Sequence, residues 1–239
     1  MAAILELQQV SKRYGAITVA DSQSWSLAEG EALGVIGPNG AGKTSMFNLV
    51  TGTIAPNSGR VIFAGQEVTR LSAANRCRLG IARSFQVPQP FGGMTVFENC
   101  LVAATQGAGE AGTTAEATGL EVLARTGLLA KANHLARTLT LLERKRLELA
   151  RALCARPKVL LLDEIAGGLT ESECHALVAT IRDLRGTGVS IVWIEHVVHA
   201  LLAVVDRLIV INFGKLIAEG EPKAIMASRE VREIYLGIE

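Results

Sequence analysis

Eight consecutive residues, Gly37-Pro38-Asn39-Gly40-Ala41-Gly42-Lys43-Thr44, fit the spacing G-x-x-x-x-G-K-[ST], whose chemistry is the wrapping of main-chain N–H groups around phosphate. Gly37, Gly40 and Gly42 lack a Cβ, so the backbone can approach an anion closely and point successive amides at it. A helix leaving the loop, beginning with Ser45, adds its positive end. In this pattern Lys43 reaches the β- and γ-phosphates as a point charge, and the Thr44 hydroxyl fills one position on a Mg²⁺ ion. The flanks favour this over a chance glycine turn: Glu31 to Ile36 reads as a buried strand entering the loop and Ser45 to Val50 as a helix leaving it.

Further along, Val159-Leu160-Leu161-Leu162 is apolar on both faces and ends in Asp163 and Glu164. A buried strand that delivers Asp163 beside a phosphate loop suits Mg²⁺ held through its water shell. Glu164 then stands where it can polarise an attacking water. Ser190 to Ile194 is a second such strand, and His196 follows it. That places His196 at the end of the sheet where open α/β folds bind ligands. His196 and His199 are spaced i, i+3, but no third ligand accompanies them and no metal pair is expected. Gln86 stands at the end of a strand over Ile81 to Phe85. Tyr14, between the first two strands, is placed either to stack on a nucleotide base or to be an ordinary half-buried tyrosine.

These residues need a scaffold, and 239 residues suffice for one large domain or a core with a subdomain. Leu5 to Val10 and Ser22 to Leu27 alternate, predicting an antiparallel opening. Pro56 to Gly59 reads as a turn, Arg60 to Phe63 as a strand, and Leu71 to Leu79 as a short helix. Helical periodicity over Thr95 to Ala104 and Ala115 to Leu129 is separated by Gln106 to Thr114, a polar, small-residue stretch predicted to be a mobile loop. Glu143 to Ala155 is a further helix, stopping before Pro157. Arg207 to Asn212 and Lys215 to Glu219 form a hairpin across Phe213-Gly214, and closing helices run from Glu221 to Leu236. The predicted architecture is α/β: a P-loop NTPase core with an antiparallel β subdomain, over 1–86 and 156–239, and an inserted helical subdomain over 87–155.

Composition narrows the partners. A net charge of +1 with 4% aromatics argues against nucleic acid. Mean hydropathy is +0.31, yet no apolar run approaches the roughly 18 residues of a membrane span. The first residues carry no secretory pattern, so a cytoplasmic location is expected. Cys77, Cys100, Cys154 and Cys174 are widely spaced and read as reduced, mostly buried thiols.

Taken together, in order and spacing, these motifs resemble the ATP-binding subunits of ABC transporters across essentially the whole chain. The resemblance matches Tyr14 to the base-stacking aromatic, Gly37 to Thr44 to Walker A, Gln86 to the Q-loop, Asp163 and Glu164 to Walker B, and His196 to the switch histidine. It implies ATP and Mg²⁺ as ligands, with Thr44, Gln86 and Asp163 around the metal. Catalytic parts fall to Lys43, Gln86, Glu164 and His196. It also implies a second ATP-binding subunit, membrane-spanning permease subunits, and an external solute-binding protein acting indirectly, at the cytoplasmic face of the inner membrane. Ala82 to Phe91, Met94 to Asn99 and the ending Tyr235-Leu236-Gly237 look like the branched-chain amino acid uptake group; uptake systems for urea, other amides and small acids share that pattern.

The chain departs from the family at the signature loop, usually Leu-Ser-Gly-Gly-Gln, which is here Leu139-Thr140-Leu141-Leu142-Glu143 followed by Arg144-Lys145-Arg146. Thr140 keeps the hydroxyl. Leu141 and Leu142 keep N–H donors but add Cβ atoms, which narrows the backbone conformations available. The three cations read as a solvated cluster offset by Glu143 and Glu148. Ile165 stands where Pro is usual, and Thr170 where Asp or Asn is usual. Two rival classes remain at this level. A non-transport ABC ATPase lacks support, since there is no coiled-coil insertion, duplicated cassette or basic surface. A nucleotide-gated regulatory module with low turnover is motivated by Leu141 and Leu142.

Overall fold

The computed structural model describes residues 2–236, with side chains through residue 233; Gly237 of the ending used above lies outside the described residues. Two long strands, β1 (Ala3–Tyr14) and β2 (Ile17–Ala28), open the chain, and β3 (Ala32–Ile36) leads through the glycine loop into α1 (Lys43–Thr51). Then come β4 (Ser58–Phe63), β5 (Gln66–Glu67), α2 (Ala73–Leu79) and β6 (Ile81–Arg83). A run of helices follows: α3 (Val96–Gln106), α4 (Gly112–Arg125) and α5 (Leu141–Cys154). The remainder alternates: β7 (Val159–Asp163), α6 (Glu171–Arg185), β8 (Ser190–Ile194), α7 (Val198–Leu202), β9 (Arg207–Asn212), β10 (Lys215–Gly220), α8 (Pro222–Ala227) and α9 (Arg229–Leu236).

One sheet is antiparallel, in the order β2-β1-β4-β5; the other runs β10-β9-β3-β8-β7-β6, parallel except for the edge strand β10. Every residue of β3, β7 and β8 is buried, the state their unbroken apolar runs require. Alternation sends Leu161 to the side of the sheet covered by α1 and the antiparallel sheet, where it joins Phe47, Leu7 and Val35. Leu160 and Leu162 go to the opposite side with α5 and α6. The pleat therefore fixes which strand residues reach the catalytic edge. Val35, Ile194 and Asp163 pair in register across β3, β8 and β7, so the glycine loop, Glu164 and His196 all emerge at one end of the sheet.

Several sequence boundaries shift. The strand predicted to Phe85 stops at Arg83, with Ser84 making one last bond to the Leu161 carbonyl before the chain leaves the sheet. The stretch 106–114 is no long mobile loop. Helix α3 includes Gln106, α4 begins at Gly112, and the short connector is tied down. Gly107 fits against Ala155 with no room for a Cβ, and Glu110 accepts from Arg156 at 3.1 Å. The helix predicted through Leu129 ends at Arg125.

Candidate functional site

Sterics dictate the glycine loop. A Cβ at Gly37 would run into the Ile211 carbonyl, and one at Gly42, whose φ is +102°, into that of Val19. Gly42 is also the N-cap of α1, which has no side-chain cap and no acidic residue in its first turn. Its first amides therefore have no partner from their own helix and are available to an anion. Lys43 is buried and folds back onto the loop, donating from Nζ to Gly37 O at 2.7 Å and Pro38 O at 3.0 Å. Burial pushes its pKa down, while Glu164 and Asp163 work to raise it. Thr44 and Glu164 line the same cleft of about 400 Å³, together with Asn39, Gly40, Ser45 and Gln86.

Asp163 is 1% exposed at the end of β7. Its Oδ2 accepts from Arg83 Nη2 at 2.5 Å, and its buried Oδ1 has no hydrogen-bond partner among the described residues. Burial raises its pKa and Arg83 opposes that rise. The Arg83 guanidinium also donates to Asn48 Oδ1 on α1 at 2.6 Å and lies 5.4 and 5.0 Å from the ring centres of Phe47 and Phe85. Sequence reasoning did not single Arg83 out. The available signal was an arginine directly after two apolar residues of a strand.

Both oxygens of Glu164 are engaged: Gln86 Nε2 donates to Oε2 at 2.5 Å, and His196 Nε2 lies 2.8 Å from Oε1. The Glu164 backbone has φ +46°, a left-handed conformation costly for a residue with a Cβ. It is held there by its own N–H on Ile194 O at 2.9 Å and by Lys145 Nζ on its carbonyl at 3.3 Å. Glu195, also unassigned from sequence, is 1% exposed and accepts from the amides of Ala166 at 2.7 Å and His196 at 2.9 Å. Burial raises its pKa against the pull of those amides. His196 thus has its backbone set by Glu195 and its ring by Glu164. His199 packs edge-on to His175 at 6.4 Å instead of joining His196.

Residues 20–167 match the family described as ABC transporter. The chain belongs to the ABC transporter family. It is 35% identical to the high-affinity branched-chain amino acid transport ATP-binding protein BraF of Pseudomonas aeruginosa, over 98% of both chains. It is 34% identical to LivG of Escherichia coli, a protein of the same description, again over 98% of both. A solved ABC transporter ATP-binding cassette in its ADP conformation superposes with a TM-score of 0.89 at 30% identity, covering 100% of each chain.

The ABC signature position is where the structure corrects the sequence most. Leu139 to Glu143 is not a loop, because α5 begins at Leu141 and Thr140 is its N-cap. Thr140 Oγ1 accepts from the Glu143 amide at 3.4 Å, and the Glu143 carboxylate accepts from the Thr140 amide at 3.0 Å, a reciprocal capping box. Of the three cations Arg144 is exposed, as expected, but Lys145 is not, and the two glutamates expected to offset the cluster pair elsewhere. Glu143 pairs with Lys131 at 2.5 Å, Glu148 with Arg151 at 2.7 Å, and Lys145 is buried against the Glu164 carbonyl. Thr170 caps α6 in the same manner, with Glu173. Tyr14 lies at the tip of the β1–β2 hairpin, 51% exposed, with Lys12 Nζ 5.1 Å from its ring centre; it does not line the cleft. A second hollow of about 400 Å³ separates β6 and α2 from α3 and α5, and Phe85, Phe91, Val102 and Arg151 line it.

Proposed function

We propose that this ABC protein is the ATP-hydrolysing subunit of an importer for branched-chain or related amino acids, working peripherally at the cytoplasmic face of a membrane. The observation that carries the catalytic part is Glu164, held by Gln86 and His196 on the wall of the cleft that Thr44 and the glycine loop also line. Among the described residues no helix is long and apolar enough to cross a membrane, so transport calls for separate spanning subunits.

In this reading Gly37, Pro38, Asn39, Gly40, Ala41, Gly42, Ser45 and the amide end of α1 receive the phosphates, and Tyr14 meets the base. Lys43 leaves its carbonyl partners for the γ-phosphate and stabilises the charge that develops on it. Thr44 and Asp163, whose buried Oδ1 has no protein partner, fit Mg²⁺, with Gln86 beside them. When bound, the ion neutralises charge on the β- and γ-phosphates. Glu164 accepts a proton from the attacking water. His196 steadies Glu164 and then turns to the γ-phosphate. Thr140, presented by the second ATP-binding subunit, completes the seam.

The core at 1–86 and 156–239 carries the nucleotide, the helical part at 87–155 carries the signature, and the hollow between them takes a segment of the permease. Phe85 at 51% and Phe91 at 45% exposure are apolar surface of the kind a docking partner covers. Substrate choice would then reside in the permease and the external binding protein.

The test is purification with intact partner chains from membranes, followed by ATPase and uptake assays. ATP turnover stimulated by a binding protein loaded with a branched-chain amino acid is expected; stimulation by other solutes alone would overturn the amino-acid assignment. Phe91→Ala should leave the free subunit's ATPase rate within about twofold, as its side chain is outside the cleft, and lower recovery of the permease. Undiminished recovery removes the docking assignment.

A further inference from the structure

Thr44 and Asp163 come from different elements, α1 and β7, so a cation shared by them requires that the two elements keep a fixed spacing. A single side chain from a third element spans both. Asn48 is four residues beyond Thr44 and so lies on the same face of α1. Arg83, on β6, donates from Nη1 to Asn48 Oδ1 and from Nη2 to Asp163 Oδ2. Its side chain is 6% exposed and is flanked by the rings of Phe47 and Phe85. This occupies one oxygen of Asp163 and leaves the other, Oδ1, without a partner among the described residues.

We propose that Arg83 is the positioning residue of the Mg²⁺ site, clamping the Asp163 carboxylate to the face of α1 that carries Thr44. The inference rests on the Mg²⁺ reading above. A guanidinium is needed because its rigid fork serves two acceptors at once, which the single ammonium of lysine on a flexible stem does poorly. Stability is a weak reason for such an arrangement, since a buried ion pair often gains little over apolar side chains of similar volume. What the pair supplies is a defined direction for each acceptor. Phe85, exposed on one side and stacked on Arg83 on the other, keeps water from the fork.

The test uses the full chain and a fluorescent ATP analogue, with affinity measured first in EDTA and then across a Mg²⁺ series. Arg83→Met should bind the analogue in EDTA as wild type does, yet need about tenfold more Mg²⁺ for half of the metal-dependent gain, the effect of losing one charge-assisted hydrogen bond. Arg83→Lys should fall between the two. A residue that served only folding would change the melting temperature and the EDTA affinity, and leave the Mg²⁺ midpoint in place. A folded Arg83→Met with the wild-type midpoint overturns the inference. Where that variant does not fold, Asn48→Ala, which removes only the α1 prong, should shift the midpoint the same way by about threefold, as a neutral acceptor contributes less; an unchanged midpoint there overturns it equally. Indifference of the wild-type protein to Mg²⁺ would defeat the Mg²⁺ reading itself, before any variant is compared.

Discussion

Helix α1 starts at Gly42 with no side chain over its amides and no acid in its first turn, whereas α5 starts at Thr140 with Glu143 closing a reciprocal cap and Lys131 holding Glu143. Both ends carry the positive pole of a helix. At α1 the chain forgoes a cap that contributes about 1 kcal/mol elsewhere, and accepts glycine's conformational entropy as well. The same economy appears nowhere at α3 or α6, each closed by a threonine and a glutamate three residues on. An open end is not peculiar to α1, since α4 also starts without a side-chain cap or an acid in its first turn. What sets α1 apart is that its bare amides follow the glycine loop into the cleft, whereas at α5 the cap engages the Glu143 amide.

The experiment that separates the two ends most sharply acts at neither helix but at the carboxylate facing the open one. Glu164→Gln keeps the bond to His196 or to Gln86 but accepts no proton, so hydrolysis should fall by about 10²–10⁴-fold while ATP binding persists and the dimer is stabilised. Steady-state turnover within about twofold of wild type would withdraw the base from Glu164.

Gly42→Ala tests the open end itself. It forces a residue with a Cβ to φ +102° against the Val19 carbonyl, a strain of about 1–3 kcal/mol that can be relieved only by moving the loop. Nucleotide affinity by equilibrium titration should drop up to a hundredfold; unchanged affinity would mean that the loop geometry is incidental.

Thr140→Ala tests the closed end. If the hydroxyl meets the γ-phosphate of the opposing subunit in the transition state, hydrolysis by the assembled transporter should fall roughly ten- to a hundredfold, the loss of a hydrogen bond to a charged group of about 1.5–3 kcal/mol. A wild-type rate would mean that this half-site is inert and that a different partner ATPase supplies the working one.

The smallest effect belongs to Glu143. Its bond to Lys131, then the Thr140 amide, hold its pKa below the ordinary carboxylate range. A carboxylate depressed in the folded state stabilises the fold above its unfolded pKa, and that contribution is lost as pH falls through the folded value. Wild type should therefore exceed Glu143→Gln by about 0.5–1 kcal/mol at neutral pH, the scale of a partly exposed pair, with the two melting curves converging in acid. A gap that persists at low pH would assign the cap to shape instead of charge.

How much of this was open to inspection in the sequence depended on the range of the interaction. The glycine loop, its strand and its helix are contiguous, and glycine spacing and apolar runs express local sterics and burial directly; hence Gly37 to Thr44, Asp163, Glu164 and His196 could be named by residue. The three threonine caps are equally local. One of them, Thr140 to Glu143, was nevertheless read as a loop, because attention to the missing glycines obscured an ordinary S/T-x-x-E start. Fold class followed too, since unbroken apolar strands ending in polar groups require a buried parallel sheet.

Other features join residues far apart in the chain. Arg83 meets Asn48 and Asp163, Lys145 meets Glu164, and Glu195 holds Ala166. A buried charge reads in sequence like any other charge until its partner is brought to it, so Lys145 looked solvated and Arg83 unremarked. Which residues are candidates to react is legible in residue type and spacing along the chain. Where their side chains point was settled by the packing of α1, β6 and α5 around one edge of the sheet, because only close packing can hold a carboxylate or an ammonium away from water in a single orientation.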